Sequence, residues 1–140
     1  MAKFAAMMGP DTAFVRARVA EFNGIAQRLG GAAEFKLVDT TRPFEEVVRA
    51  CEGAIAIHPA VYRQLSRDEF TELARRVPTI KLLQTPSAGT DAYDKHALKK
   101  IGVAVANHGG ANAVAVAEHT IWLMVGMGKK IVQQVDAVRA

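Results

Sequence analysis

The chain has 140 residues, half of them hydrophobic and 6% aromatic, which suits one globular α/β domain able to bury a real core. Lys and Arg number 18 against 14 Asp and Glu, for a net charge of +4 and a pI near 9.5. The basic residues (Arg16, Arg18, Lys36, Arg75, Arg76, Lys99, Lys100, Lys129 and Lys130 among them) are scattered and have no interleaved aromatics, which argues against nucleic-acid binding. The single Cys51 has no disulfide partner and no ligand-spaced neighbour, so it reads as a small buried apolar residue in a reducing, cytoplasmic setting. No long apolar run follows Lys3 as a signal peptide requires. The most apolar segment, Ile121 to Met127, is too short to span a bilayer.

Phe4 to Met8 is an apolar run stopped by Gly9-Pro10, the pattern of a buried strand. Asp11 or Thr12 can cap a helix running to about Leu29, with Phe14, Val15, Val19, Phe22, Ile25, Ala26 and Leu29 at helical spacing and Gly30-Gly31 ending it. Ala33 to Val38 alternates Glu34 and Lys36 with apolar residues, which predicts an edge strand with one wet face. Thr41 can cap a short helix over Pro43 to Ala50. Ala54 to Ile57 is continuously apolar, hence a central strand, and His58-Pro59 stops it. Helical residues follow at Val61 to Leu65 and Asp68 to Arg76, with Ser66 as a cap and Val77-Pro78 as the close. Ile80 to Gln84 is a further buried strand, Tyr93 to Lys100 a short helix, and Val103 to Ala106 a last strand.

Five strands alternating with helices, four of them without polar alternation, predict a parallel sheet covered on both faces. The fold class is α/β, a flavodoxin-like three-layer sandwich with strand order 2-1-3-4-5 and a long C-terminal helix, all within one domain over residues 1–140. Asn112 can cap that helix, which reaches almost to Ala140. Its first half, Ala113 to Val125, is apolar nearly all round and so needs cover on more than one side. Gly126 and Gly128 each cost about 1 kcal/mol in a helix interior, a cost best explained by close approach of another backbone.

Ligands of open parallel sheets bind beyond the carboxyl ends of the strands. Here those ends are Gly9-Pro10, His58-Pro59, Thr85 to Asp91 and Asn107 to Asn112. In Ser87-Ala88-Gly89-Thr90 small residues let backbone amides approach an anionic group, and Gly89 is the residue most able to take positive φ. The same stretch also reads as a plain strand-to-helix turn with Asp91 capping the next helix. Asn112, at a helix N-terminus, is either an anion contact or a simple cap. His58 sits at a strand end toward the presumed cleft and is a binding candidate. It could equally be a turn former. His96 lies among lysines and His119 lies within the apolar helix. No His or Cys pair has metal-ligand spacing. Neither GxGxxG nor GxxxxGK[ST] occurs, so no dinucleotide or triphosphate cradle is evident. A receiver domain needs an Asp where this chain has Ile57-His58. A flavodoxin needs a hydroxyl-rich phosphate loop that MMGPDTAF does not supply.

LLQTPSAGTDAYD followed by GVAVANHGGANAVAVAEHT resembles the first domain of the D-isomer-specific 2-hydroxyacid dehydrogenases, most sharply from Lys81 to Val125. The resemblance implies a substrate-binding (catalytic) domain paired with a Rossmann NAD(P) domain across the active-site cleft. It implies that backbone amides of Ala88, Gly89 and Thr90 hold a substrate carboxylate, that Asn112 contacts substrate, and that Ala113 and Val116 lie near the nicotinamide. It also implies that the helix over 113–138 is the crossover into the cofactor domain and forms a homodimer. The family's catalytic Arg, Glu and His, its dinucleotide fingerprint and its returning C-terminal segment have no counterpart here, so no residue is assigned a catalytic or metal role. The expectation is therefore the substrate-binding part of an enzyme that interconverts a 2-hydroxy and a 2-keto acid with NAD or NADP. No cofactor should bind this chain tightly, and the chain should be inactive alone, with no nucleic-acid or membrane partner. The alternative is a free-standing, non-catalytic module that binds a small carboxylate or a partner protein.

Overall fold

A computed structural model describes residues 4–31, 33–60 and 65–139. They fall into two units, Met1–His108 and Gly109–Ala140. The first is built on a five-stranded, wholly parallel sheet in the order β2-β1-β3-β4-β5, with strands β1 Phe4–Gly9, β2 Phe35–Asp39, β3 Ala54–Pro59, β4 Leu82–Gln84 and β5 Ala104–Ala106. The expected strand order holds. The apolar runs at β1 and β3 occupy the centre because only there do helices cover both faces. Met7 and Met8, pointing to opposite faces, are each 1% exposed.

One face, through Phe4, Ala6, Met8, Val38, Ile57 and Leu83, packs on helices α2 Phe44–Ala50, α3 Arg67–Arg76 and α4 Lys95–Lys100. Buried Val47, Val48, Phe70, Leu73 and Leu98 come from those helices. Met7 and Gly9 face the other way, where helix α1 Ala13–Arg28 lies. A Cβ on Gly9 would stand 3.3 Å from the Val15 side chain, so glycine lets α1 approach β1. Helices lie on both sides of the sheet, but the cover is uneven: Leu82 and Ala104, neighbours across β4 and β5, remain exposed.

The caps show which local signals won. Thr12 caps α1, its hydroxyl accepting from the Val15 amide at 3.3 Å. Ser66 caps α3, as its position predicts, and does so in a reciprocal box with Glu69. Thr41 does not cap α2. Its hydroxyl donates to Asp39 at 2.7 Å, and the Ncap of α2 is Pro43. Asp91 does not cap α4 either. The helix starts two residues later than expected because Asp94 accepts from the Ala97 amide at 2.9 Å. β3 runs on through His58 and Pro59 rather than stopping before them. The helix expected at Val61 to Leu65 lies, apart from Leu65, outside the described residues.

The second unit corrects the single long helix. It holds two, α5 Ala113–Gly128 and α6 Ile131–Arg139. Gly126 and Gly128 supply little helix propensity near the junction. There Lys130 turns into the left-handed region at φ 51°, and the Gln134 side chain donates to the carbonyl of Lys129 at 2.8 Å. The close backbone approach expected at the glycines is not made among the described residues: a Cβ on Gly126 would meet the Ile131 side chain at 3.9 Å, and one on Gly128 nothing within 4 Å. No helix among the described residues is long and apolar enough to cross a membrane.

Candidate functional site

The carboxyl edge of the sheet is closed strand by strand by the residues that leave it. The Thr40 amide donates to Gly9 O, that of Ala60 to Met8 O, and that of Thr85 to Ala106 O at 2.8 Å. Thr85 is fully buried, so its hydroxyl needs an internal partner, and it donates to Ser87 O at 2.6 Å. The His108 amide donates to the same oxygen at 3.1 Å. Asn107 Nδ2 donates to Ala88 O at 2.7 Å, and the Ser87 hydroxyl to Gly89 O at 3.1 Å.

These bonds set the direction of the loop's amides. No cis peptide occurs among the described residues, and in a planar trans peptide the carbonyl of one residue points opposite to the N–H of the next. Holding the carbonyls of Ser87, Ala88 and Gly89 toward the protein therefore turns the amides of Ala88, Gly89 and Thr90 away from it. Ala88 and Gly89 are exposed, Thr90 is half-buried, and none of the three amides donates to another group among the described residues. Consecutive unpaired N–H groups form a concave donor surface for an anion, and their hydrogen bonds to a charged acceptor are the strong kind. Gly89 reaches this geometry without positive φ, which among the described glycines belongs to Gly30, Gly53, Gly102 and Gly110. Side-chain anchors shape the turn, so no left-handed residue is needed. Behind the loop lies a hollow of about 270 Å³ lined by Leu65, Phe70, Pro86, Asp91 and Tyr93, among others.

The structure places His58 inside the sheet edge. Its Nδ1–H donates to the Gln84 carbonyl at 2.9 Å, and its ring packs 5.6 Å from Phe22 of α1. Burial pushes its pKa down, the bond to Gln84 opposes this, and His108 and Arg18 lower it further. The ring is neutral at neutral pH and joins β3 to β4. Cys51 is fully buried, and burial raises its thiol to about 12, so it is inert. Among the described residues no group of three or more His, Cys, Asp or Glu side chains is placed to hold a metal ion.

In the second unit Asn112 occupies the Ncap of α5, yet its carboxamide makes no capping bond. Ala113 and Val116 follow on the first turn, both exposed. The sequence singles out the Ser87–Thr90 loop and Asn112 as candidates, but not Thr85 and Asn107, which anchor the loop in the structure. Both are small polar residues at the first position after an apolar strand, where a side chain can bond the neighbouring loop.

A parallel α/β unit of this strand order belongs to the doubly wound class, in which ligands bind beyond the carboxyl edge of the sheet. Residues 16–138 match the model of the D-isomer specific 2-hydroxyacid dehydrogenase, catalytic domain. A glycerate dehydrogenase of Methylorubrum extorquens is 31% identical over 107 residues, covering 76% of this chain and 32% of that protein. The chain belongs to the D-isomer specific 2-hydroxyacid dehydrogenase family. Among solved structures, a D-lactate dehydrogenase of Aquifex aeolicus complexed with NAD and lactic acid matches with a TM-score of 0.61 at 23% identity, covering 96% of this chain and 37% of that one. An NAD-dependent formate dehydrogenase of Staphylococcus aureus in complex with NAD matches at 0.58 and 20% identity, covering 89% and 38%. These two likenesses show the fold. The chain spans about a third of the length of the relatives it matches.

Proposed function

We propose that this chain is the substrate-binding portion of an NAD(P)-dependent oxidoreductase that interconverts a D-2-hydroxy acid and a 2-keto acid. The observation that carries the reading is the loop at Ser87 to Thr90, whose carbonyls are engaged and whose three outward amides make no hydrogen bond among the described residues. A carboxylate is the group common to 2-hydroxy and 2-keto acids, and it accepts several N–H donors at once. Each such bond contributes about 1.5–3 kcal/mol because the acceptor is charged. Asn112, whose carboxamide is not spent on capping, is the further polar side chain this reading assigns to substrate. His58 enters it as a neutral support that holds the end of β4, from which the loop springs.

NAD or NADP, when bound, supplies or accepts the hydride. Ala113 and Val116 offer small, exposed apolar contacts for a nicotinamide ring. They do not fit a whole dinucleotide, because no glycine-rich turn cradles a pyrophosphate in this chain. In this reading the cofactor is held by residues outside the chain, and the 140-residue chain alone turns over no substrate. The lone buried Cys51 fits a reducing, cytoplasmic setting. The exposed apolar faces of α5 and α6 fit a homodimer formed through them.

Two measurements test this. Titration of the ¹⁵N-labelled chain with pyruvate should shift the amide resonances of Ala88, Gly89 and Thr90, while chloride at matched ionic strength should not. Unmoved resonances at tens of millimolar, about where a weak single-carboxylate site still fills, overturn the binding reading. Mixing the chain with NADH and glyoxylate, pyruvate or hydroxypyruvate should oxidise no NADH. Measurable turnover overturns the division of labour.

A further inference from the structure

We propose that Asn107 is a positioning residue for the carboxylate loop, setting affinity through the Gly89 amide without touching the ligand. The inference rests on the reading of that loop as a carboxylate site. The three anchored carbonyls are not held alike. Ser87 O has two donors, the Thr85 hydroxyl and the His108 amide. Gly89 O is held by Ser87, from within the loop itself. Ala88 O, whose peptide carries the central amide, is held among the described residues by Asn107 alone, from 19 positions further along the chain.

The two residues meet because β4 and β5 are parallel neighbours, with Gln84 opposite Ala106. Asn107 is the first residue beyond that pair on one strand, and Ala88 lies in the loop leaving the other. Rigid peptide planarity transmits the bond: Asn107 pulls the Ala88 carbonyl toward β5, and the Gly89 N–H faces the opposite way. Without that bond, the Ala88–Gly89 peptide can rotate and direct its carbonyl at the ligand. An attractive donor would then be exchanged for a repulsive acceptor, with the rest of the fold unchanged.

The test uses pyruvate binding to the 140-residue chain, followed by amide shifts, in wild type, Asn107→Ala and Asn107→Asp. Asn107→Ala should bind roughly tenfold more weakly, the loss of one hydrogen bond to a charged group, with its melting temperature within a few degrees of wild type. Asn107→Asp should be as weak or weaker at pH 7.5, where the ionised carboxylate cannot donate to Ala88 O. It should recover, relative to wild type at the same pH, on acidification to about pH 3, roughly a unit below the ordinary Asp value, where most of the carboxyl is protonated and can donate. The recovery must reach the wild-type level and pass Asn107→Ala, because mere removal of charge repulsion would stop at the alanine level. Wild-type chain that binds no pyruvate overturns the carboxylate reading itself. Wild-type binding with both variants equal to it overturns the role of Asn107 alone. Weak binding in both variants with no acid recovery assigns Asn107 to general loop stability and also overturns the positioning role.

Discussion

In Met1–His108 the large apolar side chains Met7, Ile57, Leu73 and Leu83 are at most 1% exposed, whereas in Gly109–Ala140 Trp122, Met124 and Met127 stand 61%, 68% and 81% exposed. Both units are rich in aliphatic residues, so composition does not separate them. Periodicity does. In the first unit apolar residues follow strand runs and helical stripes, and most of the large ones find a partner across a layer, although Phe14 of α1 and Leu82 of β4 stay exposed. In α5 they surround the helix, and no residue of α5 or α6 is buried. A short helix of this kind gains little from propensity, and most helical stability comes from packing. The first unit therefore carries its own stabilisation, and the second presents surface suited to cover by another molecule or segment.

The sharpest break in this comparison is a truncation in each unit. Leu73→Ala removes a fully buried side chain between α3 and the sheet and should cost about 3 kcal/mol, lowering the melting temperature by roughly 15 °C. Met124→Ala should change the stability of the unassociated chain, at concentrations too low for self-association, by no more than about 0.5 kcal/mol. Equal losses in thermal unfolding followed by circular dichroism would show α5 buried in solution and erase the contrast.

Association gives the next largest effect. Trp122 is the bulkiest exposed side chain of α5, stacked on His119 with centroids 5.7 Å apart, and it lines an apolar hollow with Leu123, Met127, Ile131 and Val132. If α5 and α6 form the dimer contact, Trp122→Glu should weaken dimerisation by at least about 2 kcal/mol, near thirtyfold. Light scattering across a concentration series checks this, and a wild-type chain that stays monomeric at tens of micromolar, about the range of a modest interface, removes the homodimer from the proposal.

The smallest effect is electrostatic and belongs to the first unit. Burial, the largest of several causes, holds the native His58 ring below its ordinary value of 6.5. As pH falls through that value the unfolded chain takes up the proton first. The stability His58 contributes is thus complete above about 6.5 and is lost as pH falls toward the lower native value. His58→Gln, which keeps a donor for the Gln84 carbonyl, should flatten that part of the slope in urea midpoints measured between pH 7.5 and 5.5. An unchanged slope would place the titration elsewhere.

Sequence alone determined the layers of this protein. Continuous apolar runs at Phe4 and Ala54, one-faced alternation around Lys36, and breakers after each run are local signals, and local signals suffice for a parallel sheet with a wet edge strand. The cap at Ser66 was legible for the same reason, since it is made by residues within four positions. Tertiary structure decided whatever needed two distant segments. The helix caps, by contrast, moved to Pro43 and Asp94 for local reasons, because Thr41 bonds Asp39 two residues back and Asp94 accepts from the Ala97 amide. His58 turned from an open strand end to the carbonyl of Gln84 because β3 and β4 are neighbours. The Ala88 carbonyl is anchored because Asn107, 19 residues away, reaches it across the β4–β5 pair. No pattern in a linear chain contains that bond, because it depends on which strands lie side by side.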